Sequence, residues 1–234
     1  MSGKLLLFDI DGTLIDSAGV GLLSLREGFF GAFPELEGRA ENFPELQLGG
    51  ATDGGVAMQI FEAFGIEDTG NHRRTFYELY SFRLLDNLRF SKPRSARILS
   101  GVEKLLDHIA EDTDHQSALL TGNAERGAKI KTAHFGIDHH FPFGAYGDDH
   151  HDRNELGPIA IKRAEQHSGV RFSGDQVVVI GDTPRDIECA RACGASVIAV
   201  TTGSASREVL AECEPDYLFD DLSDTEAIVC ALKK

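Results

Sequence analysis

Asp9-Ile10-Asp11-Gly12-Thr13-Leu14 places two carboxylates two residues apart on a glycine-containing turn. Such a pair can point into one cleft and hold a divalent cation through oxygen ligands. It can also divide the work of group transfer, one carboxylate attacking phosphorus while the other moves a proton. The plain alternative is a turn rich in Asp and Gly, residues common in loops. Three further clusters weigh against it. Thr121-Gly122-Asn123 offers a hydroxyl, free backbone N–H groups and a helix start, a seat for an anion. Gly181-Asp182-Thr183-Pro184-Arg185-Asp186 offers two acids four residues apart. Arg153, within Asp152-Arg153-Asn154-Glu155-Leu156, supplies a cation. Each has an ordinary reading, respectively a helix cap, a cap with a solvated acid, and a surface charge. Their joint occurrence in this order argues against coincidence.

The elements that must position these groups are short apolar runs. Leu5 to Phe8 ends at Asp9, Ser117 to Leu120 at Thr121, Val177 to Ile180 at Gly181-Asp182, and Ser196 to Val200 at Thr201. Continuous apolar runs of this kind suit strands covered on both faces, hence a parallel sheet whose carboxyl ends carry the ligand site. Phe143 to Tyr146 and Tyr217 to Phe219 read as edge strands. Amphipathic helices are expected over Ala124 to Phe135, Ile159 to His167 and Pro184 to Cys193, the last with Pro in its first turn and Gly194 as its stop. The alternation gives an α/β fold, a doubly wound parallel sheet with a Rossmann-like core.

From about Gly19 to Phe90 no strand pattern occurs. Leu22, Leu25, Phe29 and Phe33 recur at helical spacing, as do Met58 with Phe61, and Phe76, Leu79, Phe82 and Leu85. The segment reads as a helical insertion after the first strand, and Lys92-Pro93-Arg94 marks the return to the sheet. The expected division is residues 1–17 and 91–234 for the catalytic core and 18–90 for the insertion. The apolar stripe is that insertion's own core. Arg26, Arg73, Arg74 and Arg83 are cations within it, most of them expected in solvent.

The chain has 234 residues and a formal net charge of −15, which disfavours nucleic acid and anionic membrane surfaces as partners. No apolar run is long enough for a membrane helix or a signal-peptide core. The four cysteines, Cys189, Cys193, Cys213 and Cys230, show no paired spacing and read as reduced thiols of a cytoplasmic protein. The adjacent pairs His139-His140 and His150-His151 are poor candidates for a shared metal because neighbouring side chains diverge.

Taken together, the clusters resemble the haloacid dehalogenase superfamily, in its phosphoglycolate phosphatase-like and β-phosphoglucomutase-like branch. The motif DxDx[TV] is matched by Asp9, Asp11 and Thr13, the strand-end Ser/Thr by Thr121, and GDxxxD by Gly181, Asp182 and Asp186. The basic motif departs from the pattern, since the usual Lys-Pro is missing. Arg153 is assigned to that slot, with Lys162 as the competing choice, and its removal is expected to leave the fold largely unchanged.

The resemblance implies a helical cap at 18–90 and a Mg²⁺-dependent phosphatase acting on a small phosphorylated metabolite. Asp9 would be the nucleophile and form an aspartyl phosphate, and Asp11 the general acid and base, held by Thr13. Mg²⁺ would bind Asp9, the backbone carbonyl of Asp11, and Asp182, with Asp186 orienting a metal-bound water or ligand. Thr121, Gly122 and Arg153 would seat the phosphoryl group. Asp11 argues against C–Cl or C–P cleavage, whose family members lack the second Asp. A sugar-phosphate mutase and a non-catalytic phospholigand-binding protein are the alternatives. A monomer or a homodimer is expected.

Overall fold

A computed structural model of the chain describes residues 3–90, 96–111 and 114–233. The expected return signal at Lys92 to Arg94 lies outside them. In chain order the elements are β1 (Leu5–Phe8), β2 (Ile15–Asp16), α1 (Val20–Ala32), α2 (Asp53–Phe64), α3 (Gly70–Phe90), β3 (Arg97–Ile98), α4 (Val102–Glu111), β4 (Gln116–Leu120), α5 (Glu125–His134), β5 (Gly144–Ala145), α6 (Leu156–Ser168), β6 (Val177–Gly181), α7 (Pro184–Ala192), β7 (Ser196–Val200), α8 (Arg207–Glu212), β8 (Tyr217–Phe219) and α9 (Thr225–Leu232). No helix among the described residues is long and apolar enough to cross a membrane.

Six strands form one sheet in the order β5-β4-β1-β6-β7-β8, every pairing parallel. β1 is flanked by β4 (Leu5 opposite Gln116) and β6 (Leu5 opposite Val177). Side chains alternate across a strand, so Leu6 and Phe8 join the core beneath α4, α5 and α9, while Leu5 and Leu7 join the one beneath α6, α7 and α8. Both faces are covered, which is why β1 and β6 are apolar throughout. β2 and β3 pair antiparallel, Ile15 opposite Ile98, where the chain leaves and re-enters the sheet layer.

α1, α2 and α3 bury their apolar faces mainly on one another. Phe29 sits at the centre, its ring 4.8 Å from that of Phe64 and 5.3 Å from that of Phe33. A Cβ at Gly28 would land on the Tyr80 backbone, so glycine there lets α1 and α3 approach closely. One sequence expectation is corrected here. The buried seam of α3 is Phe76, Tyr80, Leu84 and Leu88, and Phe82 is exposed. Residues three apart advance about 300°, so three such steps swing half-way round the helix. Steps of four drift by only about 40° each and keep one face.

Candidate active site

The groups singled out above converge at the carboxyl end of the sheet. Asp9 follows β1 directly, Thr121 follows β4, and Asp182 follows β6. The turn after Asp9 is closed by N–H groups of Thr13, Leu14 and Ile15 donating to the Ile10 carbonyl. Gly12 has φ +85, a region side chains avoid, and a Cβ there would press on the Asp182 carboxylate. A Cβ at Gly203 would fall inside the same carboxylate. Glycine at these two places lets the loops after β1 and β7 close around Asp182.

The carboxylates of Asp9, Asp182 and Asp186 are buried, and each offers an oxygen within 4.8 Å of the others. Burial raises the Asp9 carboxyl to about 6, the Arg153 guanidinium pulling the other way and Asp186 and Asp11 adding to the rise. Burial and repulsion from Asp186 and Asp9 raise Asp182 to about 8. This set is short of positive charge and composed wholly of hard oxygen donors, which fits a divalent cation of the Mg²⁺ type.

Arg153 is the cation inside the cluster. It precedes α6, is buried, and donates through Nη2 to Asp9 Oδ1 at 3.1 Å and to Asp186 Oδ1. Lys162 is exposed on α6. Arg153 Nε is buried with no hydrogen-bond partner among the described residues. Asp186 Oδ1 accepts from Arg153. Its Oδ2 accepts from the N–H groups of Asp182 and Thr183 and from the Thr183 hydroxyl, forming a capping box with Pro184 in the first turn of α7. Its two oxygens thus hold Arg153 and the α7 terminus, and the carboxylate stands beside the oxygens of Asp9 and Asp182.

Asp11 is held differently from the expectation. The Thr13 hydroxyl donates to Asp182 Oδ1 at 3.0 Å and does not hold Asp11. Asp11 instead accepts from Ser17 Oγ at 3.0 Å, Asn123 Nδ2 at 2.9 Å and Lys131 Nζ at 2.5 Å. Burial opposes ionisation of this carboxyl, but the Lys131 ammonium and the three hydrogen bonds hold it below the usual carboxylate range. Lys131 also donates to Asn123 Oδ1 at 2.6 Å. Asn123 in turn donates to the Thr121 hydroxyl oxygen at 2.8 Å. Thr121 accepts there, so its own proton has no acceptor among the described residues. Gly122 lies against Ala51 and near Arg153 Nη1, and its carbonyl accepts from Asp53 N–H at 2.6 Å.

Sequence reasoning missed Lys131 and Asp53. The signal for Lys131 was its place on the inward face of α5, in register with buried Ala124 and Ala128. Asp53 opens α2 and is buried against the core, its carboxylate accepting from Ala124 N–H at 2.8 Å and so capping the start of α5. Burial raises this carboxyl from 3.8 to about 6. The folded chain thus binds this proton more tightly than the unfolded chain, a stabilisation present at low pH and lost as pH rises through about 6. Asp53→Asn is therefore expected to match wild type near pH ~4 and to be the more stable protein by ~2–3 kcal/mol above pH ~7. Urea unfolding at the two pH values checks this, and a gap that does not change with pH would refute it.

Arg26, Arg73, Arg74 and Arg83, the arginines of residues 18–90 singled out above, do not line the cavity. Arg26 donates to the Ala40 carbonyl, Arg73 pairs with Asp68, Arg74 donates to Asn71, and Arg83 lies over the Phe82 ring. The adjacent histidines do not diverge as expected: the rings of His150 and His151 stack with centroids 4.5 Å apart and those of His139 and His140 lie 4.0 Å apart, and neither pair lines the acidic cavity. His139 and His140 lie apart from it, with His140 3.7 Å from Asp107. All four cysteines are free thiols.

A family model described as HAD-hydrolase-like matches residues 154–225. Over 97% of its length the chain is 24% identical to a phosphoglycolate phosphatase from Mannheimia succiniciproducens, covering 98% of that protein. It is 25% identical to the pyrophosphatase PpaX from Listeria monocytogenes, covering 98% of each chain. Among solved structures, a predicted phosphoglycolate phosphatase from Haemophilus somnus superimposes with a TM-score of 0.67 at 22% identity, covering 98% of this chain and 99% of that one. That last likeness speaks for the fold alone.

Proposed function

This chain belongs to the haloacid dehalogenase-like hydrolase superfamily, and from that membership and its site we propose that it is a Mg²⁺-dependent phosphatase acting on a small phosphorylated metabolite. The observation that carries the reading is the placement of Asp9. It stands at the end of the central strand, in a cavity of about 520 Å³, with Arg153 on one oxygen and Asp182 beside it.

A phosphate ester and an attacking carboxylate repel each other, so a route through Asp9 requires positive charge at this point. Asp9, Asp182 and the backbone carbonyl of Asp11 would hold Mg²⁺, which when bound offsets that repulsion. Arg153 keeps Asp9 aimed and leaves Nε as an unpaired buried donor, a group that gains when an oxyanion arrives. The Thr121 hydroxyl, accepting from Asn123, has its proton to give to a phosphoryl oxygen. Asp9 attacks phosphorus and becomes an aspartyl phosphate. Asp11, oriented by Ser17, Asn123 and Lys131, is the group placed to move the proton at the leaving oxygen. Held ionised at rest, it must first take up a proton, which it then gives to the leaving alkoxide before taking one from the hydrolytic water. The helices at 18–90 act as a cap that closes over the cavity, limiting bulk water while the hydrolytic water is still admitted.

The test is phosphate release from a panel of phosphomonoesters. Activity is expected with Mg²⁺, absent after exhaustive chelation and restored when Mg²⁺ is returned. Full activity in metal-analysed, chelated protein would overturn the metal assignment. Release from no ester at all would overturn the phosphatase reading.

A further inference from the structure

The cavity wall that faces Asp9 and Asp11 is built by the helices of residues 20–90. Leu22 and Leu25 come from α1, Leu48 from the loop before α2, Val56 from α2 and Tyr80 from α3. Leu25, Val56 and Tyr80 are buried, while Leu22 and Leu48 keep about 42% and 36% of their surface open. This segment gives the cavity no Lys, Arg or His among the described residues. None of its six arginines lines the cavity: Arg26, Arg73 and Arg74 are bound to Ala40, Asp68 and Asn71, Arg39 and Arg83 lie on the Phe64 and Phe82 rings, and Arg89 is exposed. Its one charged contribution is Asp53, whose carboxylate already accepts from Ala124 N–H.

The remaining charges point the same way. Five carboxylates line the cavity, from Asp9, Asp11, Asp16, Asp53 and Asp182, against the two cations Lys131 and Arg153. Lys131 is occupied by Asp11 and Asn123, and Arg153 by Asp9 and Asp186. A phosphoryl group can draw on Arg153 and on the cation that the acids are suited to hold. A second anionic group on the substrate would have no free partner and would meet an acidic surround. A polyol would meet Leu22, Leu25, Leu48 and Val56 over most of this wall, where Tyr80 is its only polar side chain besides Asp53 among the described residues and the hydroxyls of Ser17, Thr202 and Ser204 belong to other parts of the lining. Each sugar hydroxyl buried there without a partner carries a cost.

Resting on the phosphatase reading above, we infer that the leaving group this site accepts is an uncharged alcohol with an apolar face. This sets the chain apart from relatives whose names give glycolate or pyrophosphate as the carrier of the phosphoryl group.

The experiment measures kcat/KM of the full chain with Mg²⁺ for acetyl phosphate, methyl to n-butyl phosphate, 2-phosphoglycolate and glucose 6-phosphate. Acetyl phosphate is too small to need the leucine wall and reads the chemistry alone. Each added methylene is expected to raise kcat/KM about fourfold. Phosphoglycolate and glucose 6-phosphate are expected to fall at least ~10-fold below n-butyl phosphate, the effect of one unmet polar or charged contact. Leu22→Arg, at an exposed position, supplies the missing cation and should raise the phosphoglycolate to n-butyl phosphate ratio ~10-fold, with Leu48→Arg as the independent second variant. If acetyl phosphate is turned over but phosphoglycolate or glucose 6-phosphate equals or exceeds n-butyl phosphate, the leaving-group inference is wrong and the phosphatase reading stands. If no compound, acetyl phosphate included, yields phosphate, the phosphatase reading itself falls and takes this inference with it.

Discussion

Asp9→Asn is expected to lower phosphate release by ~10⁴–10⁶-fold, the range seen when a covalent nucleophile is removed. The amide is a far poorer nucleophile and offers the cation one fewer charged oxygen. Loss of activity by unfolding is separable, because burial and nearby acids push the Asp9 carboxyl up to about 6. Its ionised form is therefore a burden on the metal-free fold above that pH, and a neutral amide relieves it. Asp9→Asn should melt no lower than wild type at pH ~8 in chelator, yet release no phosphate when Mg²⁺ is supplied. Near-normal turnover by the purified variant would remove Asp9 from the mechanism.

Arg153→Ala is expected to damage both the fold and the chemistry. Arg153 is buried between Asp9 and Asp186, so truncation leaves two buried carboxylates without their counter-ion. Breaking a buried pair in this way costs about 3–5 kcal/mol. Turnover should fall ~10²–10³-fold, as for loss of one strong oxyanion donor. Arg153→Lys should recover part of both losses, since the charge survives and the planar fork does not. Lys162→Ala should behave as wild type, because Lys162 is exposed on α6. Urea unfolding and kcat for the three variants decide the point, and an Arg153→Ala protein as stable as wild type would place the guanidinium outside the cluster. The sequence reading had expected such a variant to keep its stability. A charge flanked by Asp152 and Glu155 looks solvated in one dimension, and only the fold brings Asp9 and Asp186 to it.

The same distinction separates what was legible from what was not. Asp9, Thr121 and Asp182 were readable because each ends a run of buried strand residues, and in a parallel sheet strand ends share one edge. The partners of those groups were not readable. Thr13 lies two residues from Asp11, yet its hydroxyl reaches Asp182 across the site. Lys131 lies on a helix far along the chain and meets Asp11 only because α5 packs beside β1's end. Local spacing reports which face a residue occupies; it says nothing about which distant element covers that face. The seam of α3 failed for a different reason. The expected row Phe76, Leu79, Phe82 and Leu85 advances in steps of three and rotates off the face, whereas the buried row Phe76, Tyr80, Leu84 and Leu88 advances in steps of four and stays on it.

The position of β1 in the sheet also governs how the chain can be assembled. β1 is the first strand made, yet both its neighbours, β4 and β6, come after residue 115. During synthesis its apolar residues must wait unpaired while α1, α2 and α3 emerge, and those helices find their partners in one another. Order should therefore spread outward from the middle of the message: helices first, then the sheet once β4 and β6 have left the ribosome. The acids of the candidate site would be among the last groups to find their places, because Asp9 and Asp182 have no shared site until β6 docks against β1. A ribosome-stalled chain ending before residue 177 should thus resist protease over the helical stretch and remain cleavable around Asp9.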